Sequence, residues 1–222
     1  MSDDSFIREV NEELRRDQLK GLWQRTGSII IGAAVVIVLA TAGYVAYDHW
    51  STSRANSSGD AFAQALDLGE EGNTEEALAV LEELEASGYG AYPMLAKLRA
   101  ATLLARNGEP EEAVAKFDAV ANDSSHPDAL RDMARLRAAL LLVDHGSYAD
   151  VASRAEPLMA EGNAMRHTAR EVLVLAAMKE GDRENARVLL DEILNDPQAP
   201  QGMRERAQML SELIAGSEAE SG

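Results

Sequence analysis

Between Arg25 and Asp48 the chain carries no charged side chain. As a helix, residues 27–47 cover about 30 Å, the thickness of a bilayer's hydrocarbon core. They hold nine Ile, Leu and Val residues, which favour insertion by about 3 to 5 kcal/mol with no charge opposing them. Trp23 lies at one end of the run and Tyr44, Tyr47 and Trp50 at the other, where amphipathic rings prefer the headgroup layer. The sequence therefore predicts a transmembrane helix over 27–47 with these four aromatics at its interfaces.

The flanks set a direction. Arg15, Arg16, Lys20 and Arg25 precede the run, against Arg54 alone at a comparable distance after it. The positive-inside bias keeps residues 1–26 in the cytoplasm as a charged head and puts residues 48–222 outside. A secretory signal peptide is the competing reading, because Ala40-Thr41-Ala42 offers small residues of the kind found at cleavage sites. The apolar stretch is longer than a 7–15 residue signal core and its leader is long. Ser28 and Gly32 form one small-xxx-small pair, a signal for helix packing in the membrane. Within the head, Phe6, Ile7, Val10, Leu14, Leu22 and Trp23 recur at roughly helical intervals. They read either as an interfacial amphipathic helix or as a solvated tail.

The remainder is a different kind of sequence. Residues 55–222 hold 15 Lys and Arg against 31 Asp and Glu, which accounts for −16 of the net charge of −17. A phosphate backbone is repelled by such a surface, so nucleic-acid binding is not expected. The chain has no cysteine, which removes disulfides, thiolate metal sites and cysteine nucleophiles and suits an oxidising compartment.

Residues 51–59 are polar and read as a linker or as a continuation of the membrane helix, giving a segment 48–59 between the span and the next domain. Beyond it, apolar residues recur at three and four, as in Leu95-Leu98-Thr102-Ala105 and Leu136-Leu140-Val143, which is helical spacing. Four segments then align: Gly72-Asn-Thr-Glu-Glu-Ala77, Gly108-Glu-Pro-Glu-Glu-Ala113, Gly146-Ser-Tyr-Ala-Asp-Val151 and Gly181-Asp-Arg-Glu-Asn-Ala186. The glycines are 36, 38 and 35 residues apart. Each follows a helical stretch that a left-handed glycine can end.

Five after each glycine stands a small residue, Ala77, Ala113, Val151 or Ala186. Leu81, Phe117, Ala155 and Leu190 follow four later, then Leu84, Val120, Leu158 and Ile193, while Ala65, Ala101, Ala139 and Val174 lie seven before the glycines. One buried face is repeated four times. Helix pairs are predicted over about 57–87, 92–123, 128–161 and 165–196, with a capping helix over 201–215 and a disordered acidic tail over 216–222. An ordinary helical bundle is the competing architecture.

This pattern resembles the tetratricopeptide repeat family, with its glycine turn, an aromatic two later, a small residue five later and a proline near the joint. Gly146-Ser-Tyr148-Ala-Asp-Val151 is the fullest match, and Pro127 and Pro197 fall at joints. The chain departs from the family in three ways. Its period exceeds the usual 34 or so, Tyr148 is the only turn aromatic, and Pro157 interrupts a second helix. The fold class is therefore all-α: one N-terminal transmembrane helix and a TPR-like α-solenoid of about four helix pairs over 60–215.

No chemistry is legible. His49, His126, His145 and His167 include no i,i+4 pair, and no Gly-rich phosphate loop or Gly-x-Ser-x-Gly elbow occurs. Acid pairs such as Glu75-Glu76, Glu82-Glu83 and Glu111-Glu112 suit helix starts and solvated faces. No catalysis, cofactor, metal or small-molecule substrate is expected, and the domain at 60–215 reads as a protein-binding surface whose partner carries a basic segment.

The whole arrangement resembles the YfgM-like family of bacterial inner-membrane proteins. That resemblance implies a periplasmic repeat domain on an ancillary subunit of the SecYEG translocon, working with periplasmic chaperones on exported proteins. A periplasmic scaffold for envelope assembly, cell division or cytochrome maturation is the alternative that the sequence leaves open.

Overall fold

In the computed structural model, backbone is described for residues 3–219 and side chains for Lys20 and residues 27–216. Nine α-helices and one short 3₁₀ turn make up the regular structure of these described residues, with no strand among them. The chain divides into two compact units, 1–56 and 57–222.

The first unit is helical from Asp3 onward within α1 (Asp3–Glu71). The stretch beginning at Gly27 is long and apolar enough to cross a membrane, and no protein covers it. Its Ile, Val and Leu side chains are 51% to 70% exposed. In water that would waste the largest driving force for burial available to the chain. Thr41 returns its hydroxyl to the Ile37 carbonyl at 2.8 Å, so even the polar side chain is satisfied within the helix. Residues 48–59 are helical throughout, with no proline to break them. The predicted interfacial Trp23 and the apolar residues of the head lie outside the described side chains.

The second unit is a stack of helix pairs. The end of α1 pairs with α2 (Thr74–Ser87), α3 (Tyr92–Arg106) with α4 (Pro110–Asn122), α5 (Asp128–His145) with α6 (Tyr148–Ala155), and α7 (Arg166–Glu180) with α8 (Arg183–Asn195). Helix α9 (Gln201–Ala219) caps the stack. It runs past Gly216, where the sequence reading begins a disordered tail.

Three of the four turns are alike. Gly72, Gly108 and Gly181 have φ of 86°, 84° and 79°, a left-handed conformation that glycine adopts without steric cost. The residue after each donates its N–H five residues back, Asn73 to Leu68, Glu109 to Leu104 and Asp182 to Ala177, each at 2.9 Å. This is the Schellman bond that satisfies an orphan helix carbonyl. The third turn differs: Gly146 is extended, with φ of −123°. There Ser147 and Asp150 cap α6 reciprocally, each side chain bonding the other's backbone N–H.

All sixteen repeat positions named above, four in each pair, are at most 5% exposed. Helices α3 and α5 each serve two cores. Ala96, Ala100 and Leu103 of α3 pack with α2, while its Met94, Leu98 and Ala101 pack with α4 and α5. Ala134 and Ala138 of α5 join that second cluster and Ala139 joins the third. Pro157 ends α6 after eight residues, since it cannot donate into the helix and its ring clashes there. The 3₁₀ turn Glu156–Met159 takes over and keeps Leu158 fully buried.

Candidate functional site

Side-chain bonds between consecutive pairs sort the helices of the second unit into two layers. Among first helices, Gly69 of α1 lies against Leu103 and Arg99 of α3, and Arg137 of α5 donates to the Thr102 hydroxyl of α3 at 3.3 Å. Lys179 of α7 donates to the carbonyls of Asp144 and Gly146 at 2.8 and 3.2 Å. Arg206 of α9 grips Glu171 of α7 with two bonds of 2.6 and 3.0 Å. Among second helices, Lys116 of α4 meets Glu85 of α2 at 2.7 Å, and Arg154 of α6 meets Asp118 of α4 at 2.6 Å with further contacts through Nε.

The charge divides by layer. The second helices α2, α4, α6 and α8 hold twelve Asp and Glu against four Lys and Arg. The first helices α3, α5 and α7 hold nine Lys and Arg against five Asp and Glu. Residues 57–71, the first helix of the first pair, carry Asp60, Asp67, Glu70 and Glu71 and no base, so the basic layer starts with the second pair. Net charge alone therefore misdescribes this surface. The acidity that points to a basic partner is concentrated on the second helices.

Apolar exposure falls on both layers and on the cap: Leu140 and Leu175 on first helices, Val188 on α8, and Met209 and Leu213 on α9. Leu140 and Leu175 are 43% and 40% exposed, the first of them a member of the helically spaced set Leu136, Leu140 and Val143. Both leucines stand six residues before a turn glycine. They hold equivalent places on α5 and α7, next to the fully buried Ala139 and Val174.

A polar knot ties the start of α7 to the turn between α8 and α9. Asp196 accepts the Gln198 N–H at 2.8 Å and faces Arg166, His167 and Arg170 at 3.5, 3.6 and 3.4 Å. The Gln198 bond and these cations hold its carboxyl below the usual carboxylate range. Burial, reinforced by Arg166, pushes His167 below the ordinary histidine value, with Asp196 opposing. Arg166 also bonds Gln198 and Arg170 meets Glu192, so the knot's positive charge is compensated locally. Among the described residues no group of three or more His, Asp and Glu is placed to hold a metal ion.

The turn and packing residues Gly72, Ala77, Gly108, Ala113, Gly146, Val151, Gly181 and Ala186 form the frame rather than the surface. The four residues five after each glycine are fully buried. Tyr148 opens α6 and packs against the core of the last two pairs and cap. At the end of the apolar run, Tyr44, Tyr47 and Trp50 are 70%, 62% and 52% exposed. Tyr47 and Trp50 lie 6.1 Å apart between ring centroids, and the Arg54 guanidinium sits 5.3 Å from the Trp50 ring.

Stacked helix pairs with a shared register, glycine turns and a small residue five later are accompanied by a match to the family model for a tetratricopeptide repeat-like domain over residues 20–198. The chain belongs to the tetratricopeptide repeat-like family. No curated protein and no solved structure matches it. Because the match begins at residue 20, the family's domain spans the apolar helix as well as the four pairs. Tetratricopeptide stacks expose long surfaces built from successive helices and bind other proteins on them. In this tetratricopeptide chain the layers differ in charge sign. Summing charge helix by helix is the sequence signal that exposes the difference.

Proposed function

We propose that the chain is a membrane-anchored protein–protein adaptor of the bacterial inner membrane. Its repeat domain stands in the periplasm beside the SecYEG translocon and assists periplasmic chaperones with exported proteins. The observation that carries the adaptor reading is one polypeptide holding both a tetratricopeptide domain and an apolar helix with no protein around it. Such a chain tethers a binding surface to a membrane. Orientation is supported by Arg15, Arg16, Lys20 and Arg25 before the span against Arg54 after it. The translocon as neighbour is supported by the resemblance to the YfgM-like family.

Photocrosslinking in intact membranes tests this. A photoreactive residue is placed at Arg106, Leu140 and Leu175 on first helices and at Glu82 and Glu111 on second helices, and the trapped proteins are identified. SecYEG subunits or periplasmic chaperones are the expected products. Division, cytochrome-maturation or cell-wall proteins would move the partner to the scaffold alternative, and products of the translocon would then be absent.

A further inference from the structure

Leu140 and Leu175 have defined surroundings. Arg137 precedes Leu140 by about one turn and reaches across to Thr102. Arg106 follows Thr102 by one turn and therefore lies level with Leu140 on the neighbouring helix. Lys179 follows Leu175 by one turn and spans to the end of α5. Arg106, Arg137 and Lys179 are all exposed. Among the described residues none of them bonds a carboxylate; Arg137 and Lys179 spend their bonds on a hydroxyl and two carbonyls. Of the acids on this strip, Glu171 is taken by Arg206 and Asp144 remains. Arg106, Arg137 and Lys179 thus flank two part-exposed leucines without an acid bonded to any of the three.

We propose that this strip binds a partner protein through an acidic amphipathic segment. Its apolar side chains seat on Leu140 and Leu175, and its flanking carboxylates pair with Arg106, Arg137 and Lys179. The inference rests on the adaptor reading and deepens it by naming the chemistry of the partner. Guanidinium groups held without an acid are ready to take carboxylates in bidentate geometry. A basic segment on the same leucines would face like charge at Arg106, Arg137 and Lys179, which selects against it. The acidic second helices repel an acidic segment, so the layer asymmetry steers it to this side.

The test uses the full chain in nanodiscs of phosphatidylcholine alone, panned with a random-peptide phage library. Enriched peptides are then synthesised and titrated. The expected result is enrichment of Asp and Glu beside Leu, Ile or Phe. Arg137→Glu with Lys179→Glu should weaken the selected peptide about tenfold or more, and Leu140→Ser with Leu175→Ser should weaken it comparably. Arg137→Gln with Lys179→Gln gives a smaller loss and guards against misfolding in the charge reversal, with circular dichroism as the check. Enrichment of basic peptides, no enrichment, or acidic peptides indifferent to the substitutions would overturn the proposal. So would flotation with phosphatidylglycerol vesicles that the same substitutions abolish, with no peptide enriched, which would assign the strip to lipid. Crosslinks confined to second-helix positions would overturn this inference and leave the adaptor standing. No trapped protein from any position would remove the adaptor itself.

Discussion

At Gly108 the backbone is left-handed, and at Gly146 it is not. The two glycines align in sequence but do different work, and substitutions separate them. Gly108→Ala forces a Cβ into the left-handed region at a cost of about 1–2 kcal/mol, although nothing lies near it. Gly108→Asn should cost less, since Asn tolerates that region. Gly146→Ala instead brings a Cβ to 2.8 Å from Leu142 Cδ2 and 3.2 Å from the Leu142 carbonyl. Asn there adds bulk without relief, so thermal melts of the four variants should show rescue by Asn at 108 and none at 146. Ala113 sits fully buried on α4 of the second pair. Ala113→Trp should unfold that pair by overpacking, a loss of about 3 kcal/mol or more. An unchanged melt of the full chain would mean that this register position does not mark a close helix approach.

Between elements, the second-helix layer is stitched by Glu85–Lys116 and Asp118–Arg154. The latter is part-buried and bidentate, so a double-mutant cycle of Asp118→Asn and Arg154→Gln should give a coupling of about 0.5–1 kcal/mol. A coupling near zero would make the pair decorative. The contact between α7 and the turn after α8 adds a pH dependence. His167 is pushed below its ordinary value of 6.5, chiefly by burial. The unfolded chain therefore binds its proton first, and the stability from the neutral ring is present above pH 6.5 and lost as pH falls through the folded value. Asp196 is depressed below 3.8, so its contribution is lost only in stronger acid. His167→Gln should flatten the fall in stability between about pH 7.5 and about pH 5.5 in denaturant melts. An equal fall in the variant would mean that other groups set the slope. The helix pairs are legible in the sequence because a glycine turn followed by a small residue fixes both where a helix ends and how closely the next approaches. Leu140 and Leu175 are not, because three-and-four spacing does not say which apolar stripe faces a neighbour and which is left over. The charge layers escape notice because a net charge sums over faces that no partner meets together.

For the molecule as a whole, the question is which side of the membrane each end occupies. Among the described residues the Ile, Val and Leu side chains of the apolar run are 51% to 70% exposed, and insertion of the run is favourable by several kcal/mol. The proposed direction rests on Arg15, Arg16, Lys20 and Arg25 before the run against Arg54 after it. The absence of cysteine makes this directly measurable, since one introduced thiol is the only thiol present. Ser124 is exposed in the turn between α4 and α5, and Ser124→Cys should react with a membrane-impermeant maleimide on intact spheroplasts. Ser2→Cys should react only after lysis. The reverse pattern would invert the proposed orientation and put the acidic and basic layers before cytoplasmic partners. A chain shortened at Ala42, with Ser124→Cys labelled and the Ser2→Cys label lost from the repeat domain, would identify the run as a cleaved signal. The adaptor would then act as a free periplasmic protein, and its local concentration beside any membrane partner would depend on binding alone rather than on the tether.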